Sequence, residues 1–188
     1  MTANIVFEIL TWWHAGTGRG DGSVADAVLA RADDGLPCLP GRTVKGLARD
    51  AVRLGAEAGM ATRDQLAAWF GTDIVTGNAE NRVEKLEAAR FCTNPGSLRF
   101  ESATLGKEWT KWARAHESER NALVSTFAST RIGAEGVAVD QTLRVIEVAL
   151  PLTLRAPVEG LESDSRRVLE AVLPLFVRGL GSHRNRGL

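Results

Sequence analysis

From Gly16 to Gly22 glycine stands at every second position of "HAGTGRGDGSVAD", directly after a run of alternating apolar residues. Each glycine in a helix interior costs about 0.8–1 kcal/mol against alanine, so this spacing excludes a helix. Glycine also weakens a strand, which makes an ordered sheet here unfavourable. The flanks are better defined. In "NIVFEILTW", residues 4–12, Ile5, Phe7 and Ile9 alternate with Val6, Glu8 and Leu10, predicting a strand with one face more buried than the other. After the glycines, "AVLARADDGLPCLPG" predicts a short strand, a turn at DDG and an extended, proline-bearing entry to a helix. The chain therefore opens as strand, irregular loop and helix. This is not a dinucleotide fingerprint, because the glycine spacing differs from GxGxxG and no helix follows directly.

The helix is "LPGRTVKGLARDAVR" and its continuation, predicted from an N-cap at Thr43 to about Ala58 with Gly59 as its stop. Arg42, Lys45, Arg49 and Arg53 recur at offsets of three, four and four, which lines four cations along one side. Val44, Leu47, Ala48, Ala51 and Leu54 form an apolar row opposite them. A helix N-terminus carries unpaired N–H groups and about half a positive charge, and Gly41, Arg42, Thr43 and Lys45 surround this one. The row is either a solvated face or a support for an extended anion. "GRTVKGL" lacks the Gly-Lys-Ser/Thr ending of a nucleotide P-loop. The chain carries 23 Lys and Arg against 23 Asp and Glu, so a polyanion would be held by local segregation of charge, not by net charge.

A second helix, "TRDQLAAWFG", begins at an N-cap Thr62 and stops at Gly71. Residues 72–95 are polar and irregular, with a possible short helix in "ENRVEKLEAARF". "GSLRFESATL" predicts a strand, and "GKEWTKWARAHESERNALVSTF" a polar helix anchored by Trp109 and Trp112. "LRVIEVALPLTLRA" predicts one long strand, with Pro151 marking an edge or bulge. The last helix starts near Ser163 or Asp164, with a kink expected at Pro174. Beyond it lies the basic, glycine-bearing "GLGSHRNRGL", which includes His183, Arg184 and Arg186. The order fits an α+β sandwich of βαββαβ type, the ferredoxin-like layout, without its final strand. It reads as a single domain, 1–188, with insertions roughly within 60–142.

Other chemistries find little support. Cys38 and Cys92 form no metal-ligand pair, His14, His116 and His183 lack HxxxH spacing, and there is no G-x-S-x-G elbow. Trp12, Trp13 and Trp69 stand in apolar contexts and are expected in the core. Within the glycine-rich loop Asp21 is expected to be exposed, whereas Asp26, ahead of "AVLA", reads as a capping or pairing residue. No apolar run approaches the ~20 residues of a membrane span, and no leader sequence is evident, so the expected compartment is the cytoplasm.

Taken in order, "HAGTGRGDG", "ARADDGLPCLPGRTVKGLARDAV", "WFGT", "GSLRFESATL", "TRIGAEGVAVDQTLRVIEV" and "LGSHRNRGL" resemble the RAMP superfamily, the RNA-binding backbone proteins of type III CRISPR effectors and related single-chain effectors. The resemblance implies a ferredoxin-like (RRM-like) core with an inserted β-hairpin thumb, residues 72–95 or 128–142 here. Its implied partners are guide RNA, complementary target RNA and other effector subunits, with no membrane. In cleaving members an aspartate of the glycine-rich loop supports Mg2+- or Mn2+-dependent cutting of target RNA. Asp21 is the best match, also as a metal ligand, while Asp26 matches the acid before the short apolar strand. The implied RNA-contacting set is His14, Arg19, Arg42, Thr43, Lys45, Arg49, Arg131, His183, Arg184 and Arg186. A non-cutting architectural or capping member is the alternative, needing no cofactor. Outside the family, the alternative is a soluble domain binding a small phosphorylated ligand.

Overall fold

A computed structural model of the chain describes residues 2–21, 25–71 and 94–180. The fold is mixed α+β, with antiparallel pairing between β2 and β5 and between β3 and β4. In chain order the elements are β1 (Ala3–Glu8), α1 (Gly41–Glu57), α2 (Arg63–Phe70), β2 (Arg99–Phe100) and α3 (Lys107–Ala115). A short 3-10 turn (Arg120–Leu123) follows, then β3 (Val124–Ser129), β4 (Arg144–Ala149), β5 (Thr153–Glu159) and α4 (Ser163–Phe176). One sheet has the order β1-β5-β2, and β3 and β4 form a second. No helix among the described residues is long and apolar enough to cross a membrane.

The chain forms two compact units interleaved in sequence. The first takes Met1–Asn4, Arg42–Glu101 and Pro157–Arg178. In it α1 buries Val44, Ala48, Ala51 and Val52, and α4 buries Val168, Leu169 and Val172. The two helices approach so closely at Gly55 that an added Cβ would lie 2.6 Å from the Val172 Cγ1. At the end of α1, Met60 N–H reaches the Gly55 carbonyl and Gly59 N–H the Ala56 carbonyl, with Gly59 at φ +76°. That is the Schellman stop expected of a glycine after the last turn. The predicted Thr62 cap of α2 forms a full capping box with Gln65. Phe70 and Phe100 stack at 5.5 Å.

The second unit takes Ile5–Gly41, Ser102–Ala156 and Gly179–Leu188. Its core centres on Trp13, Leu29, Leu36, Leu39 and Leu154. Trp13 exchanges backbone hydrogen bonds with Ala149, and its indole N–H donates to the Leu150 carbonyl at 2.8 Å. The side of α3 facing this unit is fixed by buried Ala113 and by the Thr110 hydroxyl, which donates to Asp34 at 2.8 Å.

Several sequence expectations change, among them the first strand, which ends at Glu8 instead of Trp12, and the strand of residues 96–105, which shortens to Arg99–Phe100. The predicted strand of residues 143–156 is two strands, because Pro151, which has no N–H, sits in the bend between β4 and β5. The polar helix ends at Ala115, and "VSTF" pairs instead with β4, where its β-branched and aromatic residues fit the ladder. Trp12 is exposed, whereas Trp13 and Trp69 are buried as expected. The helix α1 starts at Gly41, so Thr43 lies inside its first turn rather than capping it. The possible helix of "ENRVEKLEAARF" lies outside the described residues.

Candidate nucleic-acid interface

The described part of the glycine-rich segment forms no regular strand, yet its backbone pairs with the chain that follows. Gly16 opposes Leu29 and Asp21 opposes Ala25 in antiparallel bridges. Between them Thr17 N–H donates to the Val28 carbonyl and Val28 N–H to the Arg19 carbonyl, both at 3.1 Å. The loop is thus a narrow, folded-back arm whose glycines keep side chains off its surface. Gly20 shows why: a Cβ there would lie 3.0 Å from the Asp26 carbonyl oxygen.

The two acidic candidates differ in how they are held. Asp21 is exposed, its N–H donates to Ala25 at 2.8 Å, and its carboxylate has no partner among the described residues. Asp26 is also exposed, but one carboxylate oxygen accepts the Val145 N–H at 2.7 Å and its own N–H donates to the Val145 carbonyl at 2.8 Å. Its side chain therefore has a fixed direction, set by the start of β4.

At the base of the arm, His14 is half-buried and its Nδ1 lies 2.6 Å from the Glu147 carbonyl. A carbonyl can only accept, so Nδ1 carries the proton and a neutral ring has its lone pair on Nε2. Nε2 faces Gly16, where an added Cβ would come within 2.7 Å of it. The Glu147 carboxylate receives the Leu29 N–H at 2.9 Å on one oxygen and Arg31 at 3.3 Å on the other. Arg19 is exposed, and its backbone N–H is bonded to the Thr17 hydroxyl at 3.2 Å.

Beside this arm stands the β3–β4 hairpin, in register from Val124 opposite Ala149 to Ser129 opposite Arg144. Pairing continues outward through Val139 N–H to Arg131 carbonyl at 2.9 Å and Gly133 N–H to Val137 carbonyl at 2.8 Å. Thr142 ties the neck, donating to the Val139 carbonyl at 2.6 Å and accepting from the Arg131 N–H at 3.1 Å. Arg131 is exposed here. So are Phe127, Ile132, Val137 and Leu143, the last two at 65%. The hairpin thus presents several large apolar side chains to solvent. Of the two stretches proposed for a thumb, 128–142 falls within this hairpin and 72–95 lies almost wholly outside the described residues.

In the first unit, the cationic row of α1 is uneven. Arg53 is bonded to Asp50 at 2.9 Å and to Glu57 at 2.6 Å, and the hydrogen bond to Asp50 is the main reason its pKa is raised. Arg42 is exposed, while Thr43, Lys45 and Arg49 are half-buried. Lys45 has no partner among the described residues. In the second unit the N–H of Gly41, the first residue of α1, donates to the Ser102 hydroxyl at 3.2 Å. His183, Arg184 and Arg186 lie outside the described residues.

No group of three His, Cys, Asp or Glu side chains converges among the described residues. Cys38 is buried, and burial first, then Asp34 and Asp33, pushes its thiol pKa up, away from a reactive thiolate. The residues that sequence reasoning passed over are Glu147 and Arg31. The contacts that Glu147 makes with Leu29 and Arg31 span more than a hundred positions of the chain, so no local pattern could show them.

The family model of the RAMP superfamily matches residues 6–188. The fold is similar to a chain in the cryo-EM structure of the Type III-B Cmr-beta bound to cognate target RNA. That likeness has a TM-score of 0.64 at 10% identity, over 98% of this chain and 93% of that one. A chain in the Type III-B Cmr-beta structure of the apo state is similar at a TM-score of 0.61 and 9% identity, over 94% and 90% of the two chains. No curated protein matches the chain in sequence.

Proposed function

Because this chain belongs to the RAMP superfamily, we propose that it holds the guide RNA backbone in a type III-like CRISPR ribonucleoprotein and cuts the complementary target RNA. The observation that carries this reading is the bonding of the carboxylate-bearing glycine-rich arm to the base of an exposed apolar hairpin. Such a hairpin is the thumb of the reading. Its apolar residues wedge into the guide–target duplex and interrupt stacking, and the arm beside it meets the target backbone at that break. Sequence-independent grip calls for contacts to phosphate and sugar, which cations and hydroxyls along α1 supply. The sheet order β1-β5-β2, with α1 after β1 and α4 after β5, supports a ferredoxin-like core.

Two carboxylates could support cutting. The resemblance favours Asp21. The geometry favours Asp26, because a functional group held by a second hydrogen bond is already oriented for its task. Mg2+ commonly uses one or two carboxylates together with substrate phosphates and water, so a single carboxylate of this arm fits that mode of binding. A divalent ion there would offset the charge of the scissile phosphate. The chain's own part is to orient the carboxylate, hold the backbone and keep the flanking bases apart.

The test is target-RNA cleavage by the reconstituted complex with Mg2+, comparing wild type with Asp26→Asn and Asp21→Asn. Asn at 26 keeps an oxygen for the Val145 N–H and removes only the charge. The expected result is loss of the regularly spaced cuts by on the order of 10²-fold or more in Asp26→Asn, with guide binding retained. Cuts lost only in Asp21→Asn would move the role to Asp21. Cuts unchanged in both would make this an architectural subunit that holds RNA without cutting it.

A further inference from the structure

We propose that Glu147 is the positioning residue of the glycine-rich arm, setting its geometry from the hairpin. This rests on the reading of the arm as the part that meets RNA. The segment 26–29 runs beside β4 in parallel, with Ala27 opposite Ile146 and Glu147 N–H donating to the Ala27 carbonyl at 3.0 Å. In a parallel ladder the next bond would run from the Leu29 N–H to the Glu147 carbonyl. Here the Glu147 carboxylate takes the Leu29 N–H at 2.9 Å instead, and the carbonyl so released accepts His14 Nδ1 at 2.6 Å.

One residue therefore holds both limbs of the arm. Its carbonyl fixes His14 on the outgoing limb, and its carboxylate fixes Leu29 and Arg31 on the returning limb. All three contacts sit at the base of the arm, while Arg19, Asp21 and Asp26 lie further out along it. The charge is matched by Arg31, which also donates to the Gly35 carbonyl at 3.3 Å. Glycines leave the arm little stiffness of its own, so its direction depends on this clamp. A shift of about 1 Å in a catalytic or binding group costs on the order of 10²-fold in rate, which is the lever that such a residue controls.

The experiment compares Glu147→Ala and Glu147→Gln with wild type in the reconstituted complex. Two readouts are taken: single-turnover target cleavage, and hydrogen exchange of the amides of Thr17, Val28 and Leu29. Gln keeps an oxygen for the Leu29 N–H and so tests rescue by the conservative variant. The expected result for Glu147→Ala is faster exchange at these amides and cleavage slowed by on the order of 10²-fold, with guide affinity within about twofold. Glu147→Gln should restore both to within about fivefold of wild type. Unchanged exchange in Glu147→Ala would overturn the proposal, as would loss of guide binding and cleavage together in both variants, since that is unfolding rather than positioning. A wild-type complex that makes no cuts would count against the cleavage reading alone. In that case faster arm exchange in Glu147→Ala, restored in Glu147→Gln, still upholds the clamp.

Discussion

If the cations of α1 hold an RNA backbone, Lys45 and Arg53 must contribute differently. Both belong to the same row, at offsets that put them on one side of the helix. Arg53 is spanned by Asp50 at 2.9 Å and Glu57 at 2.6 Å, so a phosphate approaching it must displace two carboxylates. Lys45 faces no acid among the described residues. For single-stranded nucleic acid the logarithm of affinity falls with the logarithm of salt by about 0.7 for each phosphate neutralised. Lys45→Ala should therefore flatten the slope by about 0.7, and Arg53→Ala should leave it unchanged. Between 50 and 200 mM salt that slope difference amounts to about 2.6-fold in relative affinity, well within the reach of fluorescence anisotropy with labelled guide RNA. A Lys45→Ala slope equal to wild type would refute a role for α1 in holding the RNA backbone. Equal flattening by both variants would also refute the reasoning, since it would mean that local ion pairs do not withhold Arg53 from the RNA.

Two further outcomes bear on fold and thumb. A Cβ added at Gly96 would run into the Trp69 carbonyl oxygen and the Phe70 carbonyl carbon, both main-chain atoms, so accommodating it requires a backbone shift. Gly96→Ala should cost about 1–3 kcal/mol or more, read by calorimetry as a melting temperature lowered by several degrees, and an unchanged value would refute the close packing. Ile132→Ser with Val137→Ser replaces side chains that solvent already reaches, so stability should move by no more than about 0.5 kcal/mol while target cleavage in the complex slows. Normal cutting by that double variant would remove the hairpin from the mechanism.

How far the sequence could be read depended on how local each determinant is. The stop of α1 at Gly59, the Thr62 capping box and the alternation of β1 are each decided within a few residues, and each was legible. The fate of "VSTF" was not, because its polar neighbours suggest a helix and only pairing with β4, some twenty residues on, makes it a strand. Pro151 marks a break in the ladder, yet whether a proline bulges one strand or divides two depends on which partners lie on either side. The cationic row of α1 was visible as spacing. The local ion pairing of Arg53 follows from Asp50 and Glu57, three and four positions away on the same helix.

The glycine-rich arm shows why chemistry is harder to read than fold. Glycine spacing states what the backbone cannot do, namely form a helix, and that negative statement is reliable from sequence alone. It leaves open what orients the arm, since a flexible segment takes its direction from whatever it is bonded to. Here that is β4, through Asp26 to Val145 and through Glu147 to Leu29, Arg31 and His14. Asp21 stands out in sequence because it sits among glycines, but the same setting leaves its carboxylate without a described partner to aim it. Asp26 looked structural because it adjoins an apolar run, and the hydrogen bond that makes it structural also fixes where its second oxygen points. Structural anchoring and a chemical role are thus not competing readings of such an aspartate, because anchoring is what gives its free oxygen a defined place beside the hairpin.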